Sequence, residues 1–185
     1  MDGSARLRMM VYASLLAALT AAGAFLAIPI GPVPIILQNL FVFLAGLLLG
    51  SRWAAASVGI YLLAGAVGLP VFAGGVGGIG RLAGPTGGYL VGFLPAAFVI
   101  GWIDEKTFAH MWVDVAAMIC GTIVIYAFGL TWLKILTGMS LSRTMAVGMV
   151  PFLPGDALKI AAAVPMAKAL RPIIQIPRSG LRVSR

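Results

Sequence analysis

The sequence predicts an all-α membrane protein in which six transmembrane helices form one bundle. Of the 185 residues, 61% are hydrophobic and only 10% are charged, and the mean hydropathy is +1.06. Soluble domains carry about a quarter charged residues, because they need a solvated surface that this chain lacks. Since one helical span needs about 20 apolar residues, a chain of this length has room for about six.

The apolar runs place these helices in a single integral membrane domain, residues 1–185. The first run is too long for the core of a secretory signal and is therefore assigned to the bundle. A basic tail, residues 171–185, follows the last span. The predicted spans are 9–30, 37–50, 53–69, 89–103, 112–136 and 144–170.

The distribution of basic residues predicts the orientation of the bundle. Nine lysines and arginines fall on the side of the two termini, and three fall on the opposite side. Because cytoplasmic loops carry an excess of Lys and Arg, both termini are expected in the cytoplasm. The net charge of +8 is attributed to this asymmetry, and nucleic acid is not expected as a partner.

Two connections on the outer side cannot be ordinary helix. Outer loop 1, residues 29–37, contains three prolines within six residues, which remove donors and disfavour helix. Outer loop 3, residues 70–88, is rich in glycine, so its backbone can turn sharply and approach a ligand closely. Both loops are predicted to be ordered elements of the ligand-bound fold, loop 1 as a lid, with a plain interfacial turn as the alternative.

The sixth span carries two ionisable residues at membrane depth. Pro154 suits the first turn of a helix, which places Asp156 in that turn. Lys159 follows three residues later and therefore lies on the same helical face. An intramembrane charge is by default a functional-site hypothesis. The alternative is that the two ions only neutralise each other.

Other residues near the outer end are candidates for the same pocket. A carboxylate that accepts and an ammonium that donates suit a small ligand with N–H groups at one place and an anionic group at another. Packing or helix capping is the alternative role for every one of them. The candidates are Gln38, Thr86 and Tyr89 as polar contacts, Phe72 as an apolar wall, and Gly74 and Gly75 as closely approaching backbone.

Small residues recur along the first span at four-residue spacing, a pattern that lets helices approach closely. They give the helix a smooth face against which another helix could approach closely. The rows are Ala13, Ala17 and Ala21, and Ser14, Ala18 and Ala22.

Catalysis has little support in the sequence. It contains no nucleophile-elbow, zinc-protease or P-loop motif, so the chain cannot drive transport by its own nucleotide hydrolysis. Cys120 is the single cysteine of the sequence and His110 its single histidine, so neither a disulfide nor a metal site is predicted. No cofactor is expected. An intramembrane enzyme that uses Asp156 as an acid or base is the minor alternative.

Four stretches carry a family resemblance: Gly31-Pro-Val-Pro-Ile35 with Gln38, Gly68-Leu-Pro-Val-Phe-Ala-Gly-Gly75, Gly84-Pro-Thr-Gly-Gly-Tyr-Leu90 and Pro154-Gly-Asp-Ala-Leu-Lys159. Together they resemble the signatures of the BioY family, the biotin-specific substrate-binding (S) components of energy-coupling factor (ECF) transporters. The likeness covers about residues 9–171. Gly-Pro-Thr-Gly-Gly-Tyr is its most specific part.

The resemblance implies biotin uptake across a prokaryotic cytoplasmic membrane. It also implies two kinds of partner, a transmembrane coupling subunit and a pair of cytoplasmic ABC ATPases. Asp156 would then accept the ureido N–H groups of biotin and Lys159 would meet its carboxylate, beside Tyr89 and the backbone of residues 74–78. The Ala13 row would face the coupling subunit. The reverse pose, and an S component for a different vitamin, stay open.

Overall fold

In the computed structural model, residues 3–28, 35–107 and 110–174 are described, and helices supply nearly all of their regular structure. The predicted all-α class is confirmed. In chain order the elements are α1 (Gly3–Phe25), β1 (Ala27–Ile28), β2 (Ile35–Ile36), α2 (Gln38–Leu49), α3 (Ser51–Ala66), α4 (Ile79–Ala83), α5 (Gly87–Lys106), α6 (Met111–Thr137), α7 (Leu141–Gly148) and α8 (Leu153–Leu170).

Three of the described helices, α1, α5 and α6, are long and apolar enough to cross a membrane on their own. The α7–α8 pair, bent by 49°, forms a fourth candidate span if it is counted as one. With 12 and 16 residues, α2 and α3 are shorter than the about 20 residues of a full crossing. The six predicted spans overlap α1, α2, α3, α5, α6 and the α7–α8 pair in that order.

Helix α2 lies at the centre of the bundle. It packs against α1, α3, α5 and α8, and every residue from 42 to 50 is buried. A helix that is apolar all round has no face suited to water, which favours this central position. A Cβ at Gly46 would collide with Ile100 of α5, so the glycine allows the two helices to meet closely. These contacts hold α2, whose first turn borders the site described below, among four other helices.

A short antiparallel ribbon forms the base of outer loop 1. Residues 27–28 pair with residues 35–36, and the Leu37 N–H donates to the Leu26 carbonyl at 3.0 Å. The first span was predicted to continue to residue 30, but α1 ends at Phe25, because the chain leaves the helix to enter this ribbon. Residues 29–34 lie outside the described residues, so the lid stays a prediction.

Outer loop 3 is anchored to the bundle by one aromatic side chain. Phe72 is fully buried against α3, where a Cβ at Gly65 would collide with its ring. The rings of Phe72 and Tyr61 meet edge to face, with centroids 5.5 Å apart. Gly75 adopts a φ of +69°, which costs glycine little and lets the chain turn back after Phe72. The short helix α4 then follows within a loop for which no helix was predicted.

An ion cluster joins three helices at the end of the bundle away from the start of α8. Arg171 donates from Nη1 to Asp114 Oδ2 at 2.8 Å and from Nη2 to Asp104 Oδ1 at 2.6 Å. Burial lowers the pKa of Arg171, but its bonds to these two carboxylates outweigh burial and raise the pKa. The cluster links the end of α5, the start of α6 and the end of α8, a connection that the sequence did not predict.

Candidate ligand-binding site

A cavity of about 320 Å³ lies at the end of the bundle that carries outer loops 1 and 3, between the starts of α2, α5 and α8 and the second half of α6. This volume is within the range of about 300–1,000 Å³ that is typical of small-molecule sites. Its walls are mostly apolar, and they come from residues such as Leu90, Phe93 and Ile125. A few polar side chains interrupt these walls, and they determine which ligand the cavity suits.

Asp156 is the centre of the polar part. It lies in the first turn of α8, which begins at Leu153 with Pro154 in that turn, and it is 6% exposed. Its Oδ1 accepts hydrogen bonds from Asn39 Nδ2 at 2.9 Å and from Lys159 Nζ at 3.2 Å. Its Oδ2 accepts one from the Tyr126 hydroxyl at 2.5 Å. One carboxylate thus joins α2, α6 and α8.

These bonds leave a defined set of groups for a ligand. A carboxylate has about four lone-pair positions, two on each oxygen, so one position on Asp156 Oδ2 is left beside Tyr126. Lys159 has three N–H groups and directs one at Asp156. In the described part of the chain, the carbonyl oxygen of the Asn39 side chain has no hydrogen-bond donor. The site therefore offers two acceptors and two donors close together.

Two further tyrosines fix the surrounding walls. Gln38 Nε2 donates to the buried Tyr61 hydroxyl at 2.6 Å, beside the first turn of α2. The Tyr89 hydroxyl donates to the Gly148 carbonyl at 2.8 Å and so ties α5 to the end of α7. The rings of Tyr89 and Tyr126 meet edge to face at 6.3 Å. The Tyr89 contacts join α5, α6 and α7, which all contribute lining residues, whereas the Tyr61 bond fixes the lining residue Gln38 to α3.

A second cation, Arg81 of α4, also lines the cavity. Its Nη2 donates to the Ala73 carbonyl over a long 3.4 Å, and its buried Nε has no hydrogen-bond partner among the described residues. No carboxylate within the described ranges lies within salt-bridge distance of this guanidinium. The cavity thus contains one paired cation, Lys159, and one without an ionic partner.

Comparison with known proteins assigns the chain to a family. The model of the BioY family matches residues 1–176. The chain belongs to the BioY family. It is 41% identical over 167 residues to a biotin transporter BioY of Thermotoga maritima, covering 90% of this chain and 98% of that protein. It is also 42% identical over 170 residues to a biotin transporter BioY of Rhodobacter capsulatus, covering 84% and 89%.

The fold of this BioY-family protein is also similar to a solved structure. That crystal structure is of the S component for biotin from an ECF-type ABC transporter; the TM-score is 0.84 at 33% identity, covering 93% of this chain and 95% of the other. The chain is a membrane protein, because it belongs to a family of transporters and contains several helices that are long and apolar enough to cross a membrane.

The structure brings together most of the predicted site residues of this BioY-family chain. Gln38, Thr86, Tyr89, Asp156 and Lys159 all line the cavity. Their convergence follows from the antiparallel packing of the helices, which puts the starts of α2, α5 and α8 at one end.

Three predicted residues are placed elsewhere. Phe72 is 0% exposed and is not a wall of the cavity, because its ring packs into the core between α3 and outer loop 3. Gly74 and Gly75 are not among the lining residues, which include their neighbour Ala73 instead. Their role is conformational, since both have a positive φ.

Sequence reasoning missed Asn39, Tyr126 and Arg81. Asn39 adjoins the predicted Gln38, and a polar pair at the start of an apolar span was the available signal. Tyr126 lies within a span that is otherwise apolar, where a hydroxyl needs a partner. Arg81 was counted only as an orientation charge. Nothing in the local sequence told which of these side chains would meet Asp156.

The small-residue face of α1 needs a correction. Ala13 and Ala17 are 1% and 5% exposed and belong to the chain's own core, where α1 packs against α2 and α3, and the half-buried Ala21 packs against the same core. They are not available to a partner, because their close-packing surface is already used. The second row, Ser14, Ala18 and Ala22, lies about 100° around the helix from the first, since each member follows a first-row residue by one position, and it is exposed.

Proposed function

We propose that this protein binds biotin with high affinity and takes it up as the S component of an ECF-type ABC transporter. The observation that carries the proposal is the polar network of Asn39, Tyr126, Asp156 and Lys159 in a cavity of small-molecule size. Its relatives, which include named biotin transporters and a solved S component for biotin, agree with it.

The network is complementary to the ureido ring of biotin. That ring has one carbonyl acceptor with one N–H donor on each side of it. We assign the N–H groups to the free position on Asp156 Oδ2 and to the side-chain oxygen of Asn39. The ureido carbonyl accepts from Lys159, whose ammonium has two N–H groups left. Tyr126 holds the Asp156 carboxylate in the orientation that this pairing needs.

Transport requires partners that supply energy, since the sequence has no nucleotide-binding motif. We infer a transmembrane coupling subunit and cytoplasmic ABC ATPases. The surface proposed for the coupling subunit is the exposed row of Ser14, Ala18 and Ala22, in place of the buried Ala13 row. The proposed setting is the cytoplasmic membrane, with both termini inside and the cavity at the outer end.

Biotin titration into the detergent-purified protein tests this function. Wild type is expected to bind biotin saturably and to return it chemically unchanged. Asp156→Asn is expected to weaken binding by about tenfold to hundredfold or more, because each charge-assisted bond contributes about 1.5–3 kcal/mol. Lys159→Ala is expected to do the same.

Glu105→Gln is the matched control, because it changes another carboxylate to an amide at the far end of the bundle. Glu105 accepts from Ser51 N–H and Oγ at 2.8 and 2.9 Å and does not line the cavity. Its biotin affinity should equal that of wild type. Absence of biotin binding together with tight binding of another vitamin would assign the protein to a different S component. Recovery of modified biotin would instead favour an intramembrane enzyme.

A further inference from the structure

Arg81 differs from the other part-buried cations of this protein. Lys159 lies 3.2 Å from Asp156, and Arg171 bonds to two carboxylates. Arg81 makes one long bond to a backbone carbonyl, and no carboxylate of the described residues lies within salt-bridge distance of its guanidinium. Buried charges are normally paired, because removing a charge from water without a partner is costly. A guanidinium that is left without an anion at a cavity wall is suited to an anion brought by the ligand.

The charges around the cavity support the same reading. Asp156 and Lys159 cancel each other at 3.2 Å, so Arg81 leaves the lining with a net charge of about +1. A monoanionic ligand restores neutrality only if its negative group reaches Arg81. A carboxylate placed at Lys159 would instead lie next to the Asp156 carboxylate, and the two like charges would repel.

The position of Arg81 also fits a ligand with polar groups at its two ends. The first two residues of α2 bond to different partners: Asn39 bonds to Asp156, and the preceding Gln38 bonds to Tyr61. The Tyr61 ring packs edge to face on Phe72, which belongs to the same outer loop 3 as Arg81. One polar region is therefore centred on Asp156 and the other on Arg81, and both border the same largely apolar cavity.

We propose that Arg81 binds the carboxylate of the ligand and makes the site selective for its anionic form. This assignment rests on the proposed function and fixes the direction of the ligand in the cavity. The ureido ring meets Asp156, Asn39 and Lys159, and the acid tail extends toward α4. Lys159 keeps its bond to Asp156 and serves the ureido carbonyl. An arginine suits this role because its planar fork pairs with both oxygens of a carboxylate.

The test compares biotin with biotinamide, in which a neutral amide replaces the carboxylate. The measured quantity is the ratio of the biotinamide Kd to the biotin Kd. Wild type is expected to prefer biotin by about tenfold to hundredfold, the value of one charge-assisted contact. In Arg81→Gln the ratio should fall to about one. Arg81→Lys should keep part of the preference, because the charge remains but the fork is lost.

Two further variants identify the group responsible. Arg143→Gln removes an exposed cation of α7 that does not line the cavity, so its ratio should equal that of wild type. Lys159→Gln should weaken both ligands while it preserves the ratio. The proposal is overturned if the ratio collapses in Lys159→Gln and persists in Arg81→Gln, which would move the carboxylate to Lys159.

Other outcomes also decide against it. If Arg81→Gln weakens both ligands by the same factor, Arg81 only holds outer loop 3 through Ala73. If wild type binds biotin and biotinamide with equal Kd, no cation of the site binds the ligand carboxylate, whatever the variants show. Failure of wild type to bind biotin at all is a different result, because it would reject the proposed function itself.

Discussion

Tyr126→Phe isolates the hydrogen bond that holds the Asp156 carboxylate from α6. The substitution keeps the aromatic ring and its edge-to-face contact with Tyr89 at 6.3 Å, and removes only the hydroxyl that donates to Asp156 Oδ2. A hydrogen bond to a charged group contributes about 1.5–3 kcal/mol. For a protein of this size, 1 kcal/mol shifts Tm by roughly 2–4 °C, so Tm should fall by roughly 3–12 °C without ligand. Tryptophan fluorescence of the purified protein during heating measures it.

Tyr89→Phe is the matched control for this change. It removes one hydroxyl from a neighbouring ring, but that hydroxyl donates at 2.8 Å to a neutral carbonyl, that of Gly148. A bond between neutral groups contributes about 0.5–1.5 kcal/mol, so its Tm should fall by less. In an Asp156→Asn background, the effect of Tyr126→Phe should shrink to that of Tyr89→Phe. If the two substitutions are equal in the wild-type background, the charge of Asp156 does not strengthen its bond to Tyr126.

Three more perturbations test other parts of the molecule. Ala18→Trp should spare biotin binding and block uptake in cells that contain the coupling subunit. Ala17→Trp should instead lower Tm, because Ala17 is 5% exposed inside the bundle. If the two variants have equal effects on uptake and on Tm, the proposal of an exposed docking row is wrong. Arg171→Gln should lower the unfolding free energy by about 3–5 kcal/mol, since it takes the cation from a buried cluster. Its biotin Kd, measured well below Tm, should stay unchanged. Gly75→Val should speed biotin release in a stopped-flow experiment, because a β-branched residue at a φ of +69° strains outer loop 3. Release at the wild-type rate would show that the turn at Gly75 does not affect the site.

Much of the fold could be predicted because a bilayer restricts the secondary structures that a chain segment can adopt. An apolar segment in lipid must be helical here, since its backbone groups can form hydrogen bonds only within the segment. The hydropathy of the sequence therefore located six segments, and all six overlap helices of the structure. The ends were less predictable. The ribbon of residues 27–28 and 35–36 shortens α1, and its formation depends on pairing between residues on either side of outer loop 1. The helix or strand propensity of each short segment does not reveal which distant segment it pairs with.

The partners of the small-residue rows could not be read from the chain either. Ala13, Ala17 and Ala21 and the row beside it have the same four-residue spacing, so either could face the bundle. Only the packing of α1 on α2 and α3 decided that the first row is internal. Spacing identifies a surface that permits close approach, and tertiary contacts determine what approaches it.

By itself, the sequence determined that Asp156 and Lys159 would share one face at the start of an apolar helix, because three-residue spacing on a helix is a local property. It also determined that these charges would lie near a glycine-rich loop and a polar helix start, because alternate helix ends meet in a bundle. Tertiary structure alone decided that Asn39, Tyr126 and Lys159 together occupy three of the four lone-pair positions of Asp156. It alone also decided that Arg81 lines the same cavity with no carboxylate of the described residues in salt-bridge distance. Those relations join residues from α2, α4, α6 and α8, and the distances between them depend on how whole helices pack.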